Sequence, residues 1–412
     1  MLLIISIIII SKMQFIPIEL YQVISNFLDI KSQIRFSATS KILHINITDL
    51  VNIEDKYIVA ITDEILSQQK FSKLSKLNCS YRINNHTITQ NSIQKLNLLE
   101  LCINSNPYIK SISHMNNLRI LSIAGSKCII GQDDIANLNL TELDADDNPN
   151  IYDVRHMSNL KILNANFNCG IAQICIDELD LVELYTSGNN KIYNVRHMKK
   201  LKILQIGHSC NVNQIGISGL DLIELYASGN NKINDVSHMT NLKSLYIAGN
   251  CGVDQSGIKN IMARTLSVCD NEKIVDVTFM TSLKSLDIGG RSGLGQEGIL
   301  GLSLKTLYAQ DNPKLLDISY MTMLKSLHIV GTCGVQQNSM YGLSLTELNA
   351  SYNPNITDLS FMTTLTGLNI GGANCGVTQK GIRNLLLNYL FFHANKNITH
   401  TSDHILPTII KF

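Results

Sequence analysis

The 412-residue sequence predicts an α/β fold, a solenoid with a curved parallel sheet of about 15 to 16 coils, preceded by a small helical domain. Three observations predict it. A leucine recurs with a period of 41, at Leu101, Leu143, Leu184, Leu225, Leu266, Leu307, Leu348 and Leu390, with 42 at each end. A second set, Leu121, Leu163, Leu204, Leu245, Leu286, Leu327 and Leu368, follows the first at an offset of 20. Finally, 412 residues at 45% hydrophobic and 16% charged exceed what one compact core organises, so the chain either divides or grows in one dimension. Self-similarity at a fixed short period selects growth in one dimension. Net charge is +1 with no long basic run, which gives non-specific nucleic-acid binding little electrostatic support. No apolar stretch reaches the roughly 18 residues that a membrane-spanning helix needs.

Residues 1–12 form an apolar leader, MLLIISIIII followed by Ser11 and Lys12. Two readings stand. The leader is a dispensable extension, with Met13 as the working start, or it is the apolar region of a secretory signal. No Lys or Arg precedes it and no A-x-A-like site follows, which favours the first reading. Sequencing the N-terminus of the native protein separates the two.

Residues 13–50 read as a helical domain. Pro17 can open a helix, because its missing N–H is an orphan there anyway. Leu20, Ile24, Phe27 and Leu28 then form an apolar stripe at helical spacing, and Asp29 with Ser32 marks a turn and a fresh start. So small a bundle cannot bury its apolar faces alone and needs a partner or the repeat array to complete it. The order Pro17, Glu19, Leu20, Ile24, Phe27-Leu28-Asp29, Ile34-Arg35 and Ser40-Lys41 resembles the F-box motif, with Leu43 where that family carries an aromatic. The resemblance implies docking on a Skp1-like adaptor in a cullin-based ubiquitin ligase, with Pro17, Ile24, Leu28 and Ile34 meeting the adaptor. The alternative is a helical cap that seals the first coil. Residues 51–73 place Ile53, Tyr57, Ile58, Ile61 and Ile65 on one helical face and read as a packed connector.

Residues 74–412 are the repeats. Fifteen units of 20 to 22 residues carry the pattern L-x-x-L-x-[AIV]-x-x-N from about residue 98 onward, and a less regular one begins near Leu74. Each unit supplies a short strand whose leucine points inward. One unit cannot bury that face, but stacked units build a continuous core. The pattern resembles the leucine-rich repeat. Units ending like ITDLSFM are similar to the internalin type, and those with CGVDQSGIKNI resemble the cysteine-containing type of ubiquitin-ligase adaptors. The Ile- and Asn-rich composition also resembles F-box and repeat proteins of giant DNA viruses of amoebae.

The register lets each column be judged by its own repeats. Asn106, Asn148, Asn189, Asn230, Asn271, Asn312, Asn353 and Asn395 stand five residues after the first-type leucines. An inward Asn there can bond backbone groups that the departing strand leaves unpaired, forming a structural ladder. Six of the ten cysteines form another column, Cys128, Cys169, Cys210, Cys251, Cys333 and Cys375, with Ser292 at the missing step. Neighbours in it lie two strands apart, about 9–10 Å, beyond the Cα separation a disulfide spans. With no C-x-x-C pair for zinc, the expectation is buried reduced thiols, no metal, and a cytoplasmic address, that of the host if the protein is viral. His114, His156, His197 and His238 share a column with Phe279, Tyr320 and Phe361, so they are expected to act as flat rings packed between coils, beside a methionine column that fills the core.

The residue after each anchor leucine is expected on the concave face. There Tyr185, Tyr226, Tyr246 and Tyr308, with Asp287 and His328, are the candidate target-binding residues, because tyrosine gives contact area at low entropic cost. The flanking Glu142, Glu183 and Glu224 are expected to neutralise Lys161, Lys202, Lys243, Lys284 and Lys325. No Gly-rich phosphate loop, H-E-x-x-H or catalytic triad escapes the repeat register. The expected function is therefore non-catalytic and without a cofactor; the F-box and repeat resemblance implies the substrate-recognition subunit of a Skp1-cullin-F-box ligase, binding an unknown target protein and neither nucleic acid nor membrane. Alternatives are a binding scaffold with no ligase connection, or an exported internalin-like adhesion protein.

Overall fold

The structure is a computed structural model that describes Asp63, residues 74–80 and residues 88–399. The apolar leader, the F-box-like segment with Pro17, Ile24, Leu28 and Ile34, and all of the connector except Asp63 lie outside the described residues. The chain divides into two compact units, 1–181 and 182–412, and the division falls inside the repeat array.

Each coil of 20 to 22 residues gives one strand of three residues, and the strands follow chain order in a parallel sheet. The first unit holds β1 (Lys76–Asn78), β2 (Glu100–Cys102), β3 (Ile120–Ser122), β4 (Glu142–Asp144) and β5 (Ile162–Asn164). The second holds β6 (Glu183–Tyr185), β7 (Ile203–Gln205), β8 (Glu224–Tyr226), β9 (Ser244–Tyr246), β10 (Thr265–Ser267) and β11 (Ser285–Asp287). It continues with β12 (Thr306–Tyr308), β13 (Ser326–His328), β14 (Glu347–Asn349), β15 (Gly367–Asn369) and β16 (Tyr389–Phe391). This is a leucine-rich-repeat solenoid.

Register follows from burial. In β9 to β13 the partners are Leu245, Leu266, Leu286, Leu307 and Leu327, leucine directly beside leucine. A slip of one residue would turn every leucine outward, so the register is strongly specified. Behind the strands, Met115, Met157, Met198, Met239, Met280, Met321 and Met362 are all buried to within 1% exposure and form the spine of the core.

The two return types differ. Four-residue α-helices, α1 (Gln90–Ile93) and α2 (Gln132–Ile135), or 3-10 turns such as Ser256–Ile258 and Glu297–Ile299, follow the second-type strands and β1. Asp63 accepts hydrogen bonds from the Thr89 backbone and from the Thr89 and Ser92 hydroxyls, fixing the start of α1. Returns from the first-type strands are extended and turn on Asx motifs: Asp235, Asp276, Asp317 and Asp358 each accept the backbone N–H two residues on.

Candidate functional site on the strand face

Side chains alternate along a strand, so the two residues flanking each buried leucine point to the open face of the sheet. That face is where the sequence places the candidate target-binding residues. In the second unit, Tyr226 and Tyr246 stack with ring centroids 4.5 Å apart and planes within 9°. Tyr308 and His328 stack at 4.5 Å and 29°. Between the two pairs, Ser267 donates its hydroxyl to Asp287 Oδ2 at 2.9 Å. Six residues expected to act together thus separate into two ring pairs around a polar notch, with Tyr185 two strands before Tyr226. Burial lowers the tendency of His328 to protonate, only partly offset by Glu347, so its ring is held neutral against Tyr308.

The charged columns do not neutralise one another as the sequence suggests. Glu183 and Glu224 accept the Tyr185 and Tyr226 hydroxyls at 2.8 and 2.7 Å. Burial, and then these carboxylates, push both phenols upward, so they stay protonated donors. Among the described residues, Lys202, Lys243, Lys284 and Lys325 form no ion pair. The reason is geometric: a Glu reaches its own strand's tyrosine more easily than a cation on the next coil.

In the first unit the same face is acidic and polar. Lys76 pairs with Glu100 across β1 and β2, and Ser122 donates to Asn104 and Asp144 at 2.7 Å each. Asp146 is raised to about 6, first by burial and then by Asp144 and Asp147, and its Oδ1 has no hydrogen-bond partner.

The asparagine column lies within the solenoid wall, away from this face. Asn230 Nδ2 donates to the Ile206 and Val212 carbonyls at 2.8 and 3.0 Å, and its Oδ1 accepts the Lys232 N–H at 3.0 Å. Asn271, Asn312 and Asn395 repeat this arrangement. In the first unit, Asn148 bonds Ile123 and Ile130 in the same way, and Asn106 bonds Cys79. Asn189 and Asn353 are fully buried beside them, with Oδ1 accepting from Lys191 and Asn355.

A second ladder escaped the sequence reading. Gln255 Nε2 donates to the Asp276 carbonyl at 2.8 Å, and its Oε1 accepts the Val275 and Asp276 N–H groups. Gln90, Gln132, Gln214, Gln296 and Gln337 make the equivalent three bonds. Gln173 and Gln379 complete a column of eight at the 41-residue period. That unbroken column was the signal: an amide has both polarities needed to bridge two coils.

The cysteine column is buried and unpaired by disulfide, and burial pushes Cys128 and Cys333 up to about 11. The histidines correct an expectation. His114, His156, His197 and His238 are exposed rather than packed between coils, and the rings of His114 and His156 reach the Ile93 and Ile135 carbonyls at 3.2 and 3.1 Å. Their polar nitrogens find a backbone partner at the rim, where Phe279 and Phe361 at later steps are half-buried. Among the described residues no group of three metal-ligating side chains converges, and no helix is long and apolar enough to cross a membrane.

No protein-family model matches the chain, and no curated protein matches it. Solved structures do. The functional domain of InlJ from Listeria monocytogenes, which includes a cysteine ladder, is 17% identical over 75% of this chain and 75% of that one, with TM-score 0.36. A leucine-rich-repeat protein of Leptospira interrogans is 16% identical over 88% and 92%, with TM-score 0.37. Rad7, solved in complex with Elc1 from yeast, is 14% identical over 95% and 94%, with TM-score 0.44. The likeness is one of fold.

Proposed function

We propose that the protein is a non-catalytic receptor whose strand face holds a partner protein, while its N-terminal segment, by its F-box resemblance, ties it to a Skp1-like adaptor of a ubiquitin ligase. One observation carries the reading of the face. Two aromatic stacks, Tyr226 with Tyr246 and Tyr308 with His328, stand half-exposed on an open sheet where no other segment of the described chain covers them. Stiff, amphipathic rings of this kind anchor protein interfaces. The ladders and the leucine core hold them in fixed positions, so the ordering cost of binding is already met by folding.

The test combines proximity labelling with co-purification, using the full chain. Tyr226→Ala with Tyr308→Ala should lose the labelled target and keep the adaptor. Leu28→Asp should do the reverse. A target retained by the tyrosine variant removes the face from recognition, and an adaptor retained by Leu28→Asp leaves a binding scaffold without a ligase connection.

A further inference from the structure

The interleaving of the two repeat types creates a row that neither period shows alone. Lys243, Arg264, Lys284, Lys305 and Lys325 stand immediately before β9, β10, β11, β12 and β13, five consecutive strands. Their backbones are joined directly: Arg264 N–H donates to the Lys243 carbonyl, Lys284 to Arg264 and Lys305 to Lys284, each at 2.8 Å, and Lys325 to Lys305 at 2.9 Å. Adjacent strands sit about 4.8 Å apart, so the row carries five positive charges within roughly 20 Å. All five side chains are exposed, and among the described residues none has an acidic partner. Like charges directly opposite on neighbouring strands repel; Lys284 and Lys325 each donate to a backbone carbonyl, of Ser303 and Ser344, but among the described residues no carboxylate neutralises the row.

The next column deepens the pattern. Ser244, Thr265, Ser285, Thr306 and Ser326 follow the five cations one for one, so each strand presents a positive charge and then a hydroxyl donor. The third column reads Tyr246, Ser267, Asp287, Tyr308 and His328, rings on either side of the polar notch. The pattern stops on both sides, with Glu224 on β8 and Glu347 on β14 in the hydroxyl column.

We infer that this five-strand patch binds a short acidic protein segment, whose carboxylates meet the cation row and hydroxyl column while its apolar side chains rest on Tyr246 and Tyr308. The inference rests on the reading of the strand face as the partner surface and gives that partner its chemistry. Charge complementarity carries it. A protein segment suits the site better than a nucleic acid strand for two reasons. A phosphate backbone carries a charge at every step and would meet Asp287 beside the middle of the row, whereas a protein segment can place an uncharged residue there. Single-strand binding also needs open ring faces for bases to stack on, and here one face of Tyr246 is taken by Tyr226 and one face of Tyr308 by His328.

Fluorescence anisotropy with a fluorescein-labelled six-residue peptide of alternating glutamate and leucine, about 20 Å long when extended, and the full chain tests it. Arg264→Gln, Lys284→Gln and Lys305→Gln combined should weaken binding roughly tenfold, since three exposed ion pairs each contribute a factor of about two. A control with the same charge change, Lys259→Gln, Lys380→Gln and Lys396→Gln, should stay within about twofold of wild type, and binding should weaken with salt as exposed pairs are screened. Equal losses in both variants would reduce the effect to net charge and overturn the site. Tighter binding of a six-residue oligouridylate than of the peptide would overturn the choice of a protein. Absence of peptide binding would overturn the inference while leaving the receptor reading intact, because that reading is scored by target loss in the tyrosine variant.

Discussion

Asn230 shows how one side chain can decide the fate of a coil. Its amide satisfies two carbonyls and one N–H in the wall of the solenoid, and it is 1% exposed. Asn230→Ala leaves those groups without water or protein, so unfolding by denaturant should show a loss of roughly 1–3 kcal/mol. Asp146 works in the opposite direction. Its carboxyl is raised to about 6 against an ordinary 3.8, so between those values the folded state holds a proton that the unfolded chain has lost. Stability from this group is greatest below about pH 4 and falls as pH rises through 6. Asp146→Asn should remove that slope and stabilise the protein at pH 7. The gain should be nearer 1 kcal/mol than the roughly 3 kcal/mol that two pKa units would imply, because the half-exposed carboxyl is screened by solvent. Melts at pH 4 and pH 7 check both the sign and the size.

At the scale of the element, the tight return at Ser256–Ile258 depends on Gly257. A Cβ there would sit well inside van der Waals contact of the Asn234 carbonyl oxygen of the preceding coil. The Gly257 carbonyl in turn accepts the Val236 N–H at 2.9 Å. Two backbones therefore meet without a side chain between them, and Gly257→Ala should cost about 1–3 kcal/mol through overpacking, read as a lower melting temperature. Gly216, Gly298 and Gly381 make the same approach. At one step where the column lacks glycine, Cys175 reaches the Tyr152 carbonyl with its thiol, at 2.8 Å. The 41-residue double coil was legible because leucine and asparagine repeat in it without exception. The glutamine ladder was equally regular but passed unread, since an exposed-looking Gln carries no apolar signal and its partners, backbone groups one coil away, are invisible until the coils are stacked.

At the scale of the whole molecule, ten cysteines add no covalent constraint, and packing together with the hydrogen-bond ladders holds the array. The thiols of Cys128, Cys210, Cys251, Cys333 and Cys375 are shifted upward by burial, so few are thiolates at pH 8. Iodoacetamide at that pH should label the half-exposed Cys102 first and reach the column only after denaturation, as peptide mass spectrometry would show. Early modification of Cys251 would mean that the coils open locally. A stack of near-identical coils also leaves the strand face as the place where the repeats are free to differ, because the inward columns are filled by buried aliphatic side chains, methionines, amides and thiols in structural contacts.

The period, the inward leucines and the asparagine column are written in the sequence, because burial tolerates few residue types and stamps each choice at a fixed offset. Which exposed residues stand side by side follows from the stacking of the coils. Two repeat types with separate periods alternate along the sheet, and their side chains become neighbours across strands, so the cation row and the ring pairs exist in the stacking order and in neither period alone.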